Sequence, residues 1–310
     1  MKQHILVIGA CGQIGTELTL KLRQLFGNEN VIASDIHPGN QEIMQSGLFL
    51  NLDATDATAV KELLISHKIT QVYMMAAMLS ATAEKIPMKA WDLNMTALLN
   101  ILELGREGLY NQVFWPSSIG AFGPTSPKEH TPQNTLMSPT TVYGISKYTG
   151  ELWCQYYANR YGLDVRTVRY PGLISYKAQP GGGTTDYAVE IYFEALKANK
   201  YTCFLSENTT LPMMYMDDAI RATYTLMALP KMAVYKAYNI AGMSLNPKEM
   251  SKSIQKQLPD FSISYQPDFR QAIAESWPKS IDDSEAKADW NWKPEFDLDR
   301  MTKVMLAHCK

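Results

Sequence analysis

The chain has 310 residues, 29 Lys and Arg against 31 Asp and Glu, and a formal net charge of -2; with no basic run to form a stripe for a phosphate backbone, nucleic acid is not an expected partner. Its 4 cysteines and 5 histidines are scattered, with no Cys-x-x-Cys pair and no i, i+4 histidine pair, so neither a disulfide framework nor a zinc site is expected and any chemistry is metal-free or borrows a diffusible cofactor. No stretch approaches the ~20 apolar residues of a membrane span, and no targeting segment shows at the start; a cytoplasmic protein is expected.

In chain order, Ile5 to Ile8 reads as a strand that runs into Gly9-Ala-Cys-Gly12-Gln-Ile-Gly15 and then a helix over Gln13 to Phe26. Glycines on such a strand-to-helix turn let backbone amides approach a pyrophosphate at the positive end of a helix dipole. The spacing is Gly-x-x-Gly-x-x-Gly, not the Gly-x-Gly-x-x-Gly of many dinucleotide-binding dehydrogenases. A second strand, Val31 to Ser34, ends at Asp35, 20 residues beyond Gly15. A carboxylate there accepts from adenosine ribose hydroxyls and repels a 2′-phosphate, which favours NAD over NADP; the alternative is a surface turn before His37-Pro38-Gly39. Leu48 to Leu52 reads as a third strand, and Asp53 after it either contacts adenine or caps a helix. Lys61 to His67 reads as helix, Val72 to Ala77 as a fourth strand, and Ala90 to Glu107 as a long helix with Leu98, Leu99, Ile101 and Leu102 on its apolar side.

The fifth strand, Val113 to Ser117, delivers Ser117 and Ser118 to the carboxyl edge where open parallel sheets bind ligands, although serines there also serve as turn or cap residues. Pro139 allows a helix to begin, and Val142 to Tyr161 continues it to Gly162. That helix carries Tyr143 and Lys147, the only Tyr-x-x-x-Lys in the sequence, which stacks a phenol beside an ammonium. For a phenol with pKa near 10 to act as a base at neutral pH, a fixed cation must lower it by ~3 units. The other reading is an amphipathic helix with a buried tyrosine and a solvated lysine. Val165 to Tyr170 forms a sixth strand ended by Pro171-Gly172.

Strands alternating with helices predict an α/β fold, a doubly wound parallel sheet of the Rossmann type. After Ser175 the pattern changes: a loop over Gln179-Pro-Gly-Gly-Gly183, a helix from Asp186 to Ala198, and a Pro- and Trp-containing tail from Asn246. Asp217 to Ala228 and Ala237 to Ala241 read as a helix and a strand returning to the first domain. The expected partition is residues 1–175 plus about 213–245 for the NAD-binding domain, and 176–212 plus 246–310 for a smaller, sequence-interleaved substrate lobe.

Gly9-x-x-Gly12-x-x-Gly15, Asp35, Ser117-Ser118-Ile-Gly-Ala-Phe-Gly123, Tyr143-x-x-x-Lys147 and Arg169-Tyr-Pro-Gly172 together resemble the extended short-chain dehydrogenase/reductase family. One departure is Met74-Met75-Ala76-Ala77, where nucleotide-sugar members commonly have His-Leu-Ala-Ala. The resemblance implies a catalytic set of Ser118, Tyr143 and Lys147. It further implies NAD held by Gly9, Gly12, Gln13, Ile14, Gly15, Asp35, Leu52, Asp53, Ala76, Ala77, Tyr143, Lys147, Tyr170 and Leu173. Ala77-Met-Leu-Ser80-Ala-Thr-Ala-Glu84, Pro180-Gly-Gly-Gly-Thr-Thr185-Asp-Tyr-Ala188 and Glu275-Ser-Trp277-Pro-Lys-Ser-Ile-Asp282-Asp are similar to the short-chain L-threonine 3-dehydrogenases within that family. This implies L-threonine as substrate, bound by Ser80, Ser118, Tyr143, Thr185 and Trp277, and a homodimer as the assembly; the alternative is a nucleotide-sugar epimerase or dehydratase. On the residues alone, Ser80 also fits a strand end and Trp277 a core position. Gly181 to Gly183 lead into a helix whose exposed amides, with Thr184 or Thr185 as cap, offer a place for a small carboxylate.

Overall fold

The computed structural model describes residues 3–177 and 181–309; Gln179 and Pro180 of the expected loop lie outside the described residues. The chain builds β1 (Ile5–Ile8), α1 (Gln13–Phe26), β2 (Val31–Asp35), α2 (Gln41–Gln45), β3 (Phe49–Asn51), α3 (Ala57–Ser66), β4 (Gln71–Met74), α4 (Ser80–Lys85), α5 (Pro87–Arg106), β5 (Gln112–Phe114), β6 (Ser117–Ser118), α6 (Val142–Tyr161) and β7 (Asp164–Tyr170). It continues with β8 (Gly172–Ile174), α7 (Tyr187–Ala198), β9 (Lys200–Cys203), β10 (Leu211–Tyr215), α8 (Met216–Ala228), β11 (Ala237–Asn239), β12 (Met243–Leu245), α9 (Pro247–Gln255), β13 (Ser262–Tyr265), α10 (Arg270–Ser276), α11 (Ser284–Trp290) and α12 (Leu298–His308).

The main sheet has the order β11-β7-β5-β4-β1-β2-β3, with β6 beside β7, and every pairing in it is parallel. This is the expected doubly wound α/β fold. Alternate residues of β1 serve opposite faces: Ile5 and Val7 pack with Leu18 and Leu22 of α1 and Ile220 and Leu226 of α8, and Leu6 and Ile8 pack with Val60 of α3 and Leu98, Ile101 and Leu102 of α5. A strand buried on both faces reads as a continuous apolar run, which is why β1 was visible in the sequence. Strand order reverses between β1 and β4, and the crevice at that switch point is where a ligand binds in such sheets.

The third, fourth and fifth strands and the returning strand at Ala237 are shorter than the sequence implied, the fourth and fifth with consequences for the site. The fourth stops at Met74, because its partner β1 ends at Ile8 and Gly9 turns away with φ +83; the chain from Met75 to Leu79 is thereby freed to line the crevice. The fifth stops at Phe114, since Pro116 has no N–H for the ladder, and pairing resumes at Ser117 and Ser118 on β7. Beyond β7 the chain does not leave extended structure at Pro171. It hops through that proline into β8, which pairs with β10 in a separate three-stranded sheet ordered β12-β10-β8. The hop is tight: a Cβ on Gly172 would lie 2.5 Å from Met213 Sδ and 2.7 Å from Thr185 Cγ2. A third core gathers Tyr187, Ile191 and Tyr192 of α7, Met250 and Ile254 of α9 and Met301 and Met305 of α12 together with Trp277. β9 and β13 form a further two-stranded parallel pair.

Candidate active site

The turn from β1 to α1 uses its glycines differently. A Cβ on Gly9 would lie 2.5 Å from the Ala76 nitrogen, and one on Gly15 would lie 2.0 Å from Gly9 O, so both positions admit only backbone. Gly12 has nothing nearer than Gly9 O at 3.5 Å and lines a cavity of about 660 Å³. From Gly12, α1 starts without a side-chain cap and without an acidic residue in its first turn, so its leading amides remain as donors at the positive helix end. Gln13 adds Nε2, a buried donor with no partner. This donor set fits a dinucleotide pyrophosphate. Asp35 braces the turn: its Oδ2 accepts the Cys11 N–H at 3.0 Å and its Oδ1 the His37 N–H at 3.1 Å.

Ser118, Tyr143 and Lys147 meet at the same cavity. Tyr143 is the second residue of α6, whose cap Thr141 accepts the Gly144 N–H at 3.0 Å, and Glu84 of α4 accepts the preceding Val142 N–H at 2.8 Å. Ser118 ends β6 and accepts the Gly120 N–H at 3.1 Å. Lys147 is not the solvated lysine of the bland reading. It is 4% exposed, its Nζ donates to Pro116 O at 2.7 Å, and it lies 5.6 Å from the Tyr143 ring centre. The expected depression of the phenol is absent here. Burial pushes the Tyr143 phenol above its ordinary value, opposed by a hydrogen bond with Ser118, and burial pushes the Lys147 ammonium down to about 7. Both groups lose hydration, and the lysine directs a hydrogen bond to the Pro116 carbonyl.

The opposite wall is α4 with the loop before α7. Ser80 opens α4 instead of ending a strand, and its hydroxyl shares a hydrogen bond with Thr184 Oγ1 at 3.0 Å while accepting the Thr184 N–H at 3.2 Å. Two of the three glycine amides are not open to a carboxylate, contrary to expectation: Asp186 Oδ2 accepts the Gly182 and Gly183 N–H groups at 2.8 and 2.7 Å. Neither Thr184 nor Thr185 caps α7, which begins at Tyr187 after Asp186. Burial raises the Asp186 carboxyl above its usual range. Trp277, 5% exposed, closes one side.

The cavity therefore brings together Gly9, Gly12, Gln13, Ile14, Gly15, Ala77, Tyr170 and Leu173 with Ser80, Ser118, Tyr143, Lys147, Thr185 and Trp277. Asp35, Leu52, Asp53 and Ala76 do not line it. Leu52 is buried in the core beneath β3, and Asp53 is exposed and accepts from the Thr55 N–H and hydroxyl at 2.8 and 2.7 Å. The α3 cap is Asp56, so the capping alternative for Asp53 does not hold. Sequence reasoning missed Asp186, because an acid at a helix start reads as an ordinary cap, and it missed Met78, Leu79 and Thr82, which had no periodicity to single them out. Among the described residues no three His, Cys, Asp or Glu side chains converge as a metal site, and no helix is long and apolar enough to cross a membrane.

Residues 5–241 match the model of the NAD dependent epimerase/dehydratase family. An uncharacterized epimerase/dehydratase from Staphylococcus saprophyticus is 51% identical over 308 residues, 98% of this chain and 96% of that one. Among solved structures, a GalE-like L-threonine dehydrogenase from Cupriavidus necator in its holo form superposes with a TM-score of 0.96 at 55% identity, covering 99% of this chain and 100% of that one. An L-threonine dehydrogenase from Clostridium difficile does so with a TM-score of 0.96 at 48% identity, covering 99% and 98%. A UDP-glucose 4-epimerase from Thermotoga maritima shares the fold at 22% identity, TM-score 0.86, covering 99% and 98%. With its glycine turn, its Ser-Tyr-Lys set and these relatives in agreement, the chain belongs to the NAD-dependent epimerase/dehydratase family of extended short-chain dehydrogenases/reductases, enzymes that work with NAD.

Proposed function

We propose that the protein oxidises the 3-hydroxyl of L-threonine to 2-amino-3-oxobutanoate. The observation that carries this reading is the charge inventory of the cavity. Among its described lining residues, Lys147 is the only cation and Asp186 the only carboxylate. A small zwitterion with a hydroxyl suits that set: Asp186 faces the ammonium, and the Ser80, Thr184 and Thr185 hydroxyls face the carboxylate. A nucleotide-sugar diphosphate needs cations and would meet a buried acid instead. The 48–56% identity to proteins named as L-threonine dehydrogenases supports the same substrate.

NAD, when bound by the glycine turn and by Tyr143 and Lys147, supplies the hydride acceptor. Ser118 holds the substrate hydroxyl and Tyr143, as phenolate, takes its proton as the C3 hydrogen departs with its electron pair. Lys147, which holds its proton more tightly once an anion forms beside it, stabilises that phenolate electrostatically. The test is NADH appearance when the protein is mixed with NAD and L-threonine, its stereoisomers, serine or nucleotide sugars. NADH with L-threonine, unaffected by a strong chelator, is expected. Conversion of a UDP- or GDP-sugar with no signal from threonine would establish the epimerase reading instead.

A homodimer is part of the proposal. Ile145, Leu152, Trp153 and Tyr156 of α6 are exposed, an apolar stripe that a second copy would cover. Light scattering of the eluted protein at twice the chain mass is the expected result, and a monomer at micromolar concentration would remove this part.

A further inference from the structure

Trp277 is a wall shared by two voids. One is the active-site cavity. The other, about 300 Å³, is lined in part by Lys128, Thr209, Gln271, Glu275 and Lys279. Trp277 is packed into the third core, and its position depends also on the backbone that carries it. That backbone is the end of α10, where the last carbonyls have no partner within the helix and the helix places no basic residue in its last turn.

Lys128 supplies what α10 lacks. Its Nζ donates to Ser276 O at 2.7 Å and to Trp277 O at 3.2 Å, which satisfies two terminal carbonyls and sets a cation at the negative helix end. The contact belongs to a seam that joins distant stretches of chain. Lys128 O accepts the Lys279 and Ser280 N–H groups at 2.8 and 3.2 Å, Thr131 N–H donates to Ser280 O at 3.0 Å, and Asp282 N–H returns to Thr131 O at 3.0 Å. Lys128 lies on the connection between Ser118 and Tyr143, so one segment links the proposed catalytic groups and holds the tryptophan against them. The contact point is Gly120: a Cβ there would lie 3.2 Å from Tyr143 Cδ1 and 3.5 Å from Trp277 Cζ2.

We infer that Lys128 is a positioning residue that fixes the Trp277 indole over the substrate end of the cavity, and so sets affinity for the small hydroxy amino acid without touching it. The inference rests on the L-threonine reading for its kinetic consequence and on geometry alone for its effect on the indole.

The test compares Lys128→Met, which keeps the aliphatic stem, with Lys128→Arg, which restores the donors. In Lys128→Met the KM for L-threonine should rise roughly tenfold, about 1.4 kcal/mol of binding, with kcat and the KM for NAD within twofold, and Lys128→Arg should recover most of the loss. The Trp277 emission, isolated by subtracting Trp277→Phe spectra in each background, should shift to the red and become more accessible to acrylamide in Lys128→Met. An unchanged threonine KM, an equal rise in both KM values, or no recovery in Lys128→Arg would overturn the inference. If the parent protein does not oxidise L-threonine, the function reading fails, and the emission of Trp277 then decides: a shift upholds the positioning role, and no shift overturns it.

Discussion

Tyr143 and Lys147 are buried side by side, and burial works against the charged form of each. The phenol stays above its ordinary value, so its basic fraction grows with pH, and kcat/KM for L-threonine should rise from pH 7 to 9, by less than tenfold per unit because Lys147 loses its own charge over the same range. A flat profile over that range would mean that the base titrates below pH 7. Tyr143→Phe should fold, bind NAD in a fluorescence titration, and lose turnover by about 10²–10⁴; near-normal turnover would eliminate the mechanism. Lys147 has a consequence that needs no substrate. Its folded value, about 7, lies below the 10.5 of a free lysine, so the unfolded chain holds the extra proton between those limits. The group's cost is absent above pH 10.5 and grows as the pH falls toward 7. Lys147→Met should therefore stabilise the ligand-free protein at pH 7 by on the order of 2 kcal/mol after loss of the Pro116 hydrogen bond, with the gain fading toward pH 10.5 in urea titrations. A difference independent of pH would show that the lysine is charged in both states. Spacing alone made this pair legible. It did not reveal that the lysine would be desolvated, because that depends on Pro116 and Trp115, which approach from the link between β5 and β6.

At the scale of elements, the turn between β1 and α1 separates folding from binding. Gly15→Ala drives a Cβ into Gly9 O and should cost several kcal/mol, seen as a lower urea midpoint. Gly12→Ala meets nothing closer than 3.5 Å, so it should leave the urea midpoint nearly unchanged and weaken NAD at least tenfold by crowding the pyrophosphate. Equal destabilisation by both would contradict the geometry. This turn was readable because strand, glycines and helix are contiguous. The small sheet was not: β8, β10 and β12 are short, and Met243–Leu245 pairs with Leu211–Met213 across a whole helix and strand. No local periodicity encodes such a pairing. The carboxylate of Asp186 was hidden for a related reason, since its partners Gly182 and Gly183 turn it away from the cap role its position implies.

Across the whole molecule, a buried polar cluster ties the main sheet to the tail. Glu151 of α6 accepts from Arg169 Nε and Nη2 at 2.9 and 2.7 Å and from the Ser117 hydroxyl. Arg169 reaches Gln133 O at 2.8 Å and Asn239 Oδ1 at 3.1 Å, and Asn239 reaches Thr131 O at 3.2 Å and Asp282 O at 3.1 Å. Removing one charge from the buried pair leaves the other uncompensated, at about 3–5 kcal/mol. Glu151→Gln should lower the melting temperature by roughly 10 °C in calorimetry, and a fall of less than about 2 °C would mean that the guanidinium finds other compensation. The partition into residues 1–175 with about 213–245, and 176–212 with 246–310, we propose as two lobes of one folding unit. The hop through Pro171 gives that proposal a mechanical consequence. Leu173 lines the cavity and Met213 packs on Gly172 in the same small sheet, so a mutation that reshapes the pocket there is transmitted within two residues to the end proposed for the nicotinamide. A substitution there that changes the fit of the substrate should therefore change the grip on the dinucleotide as well.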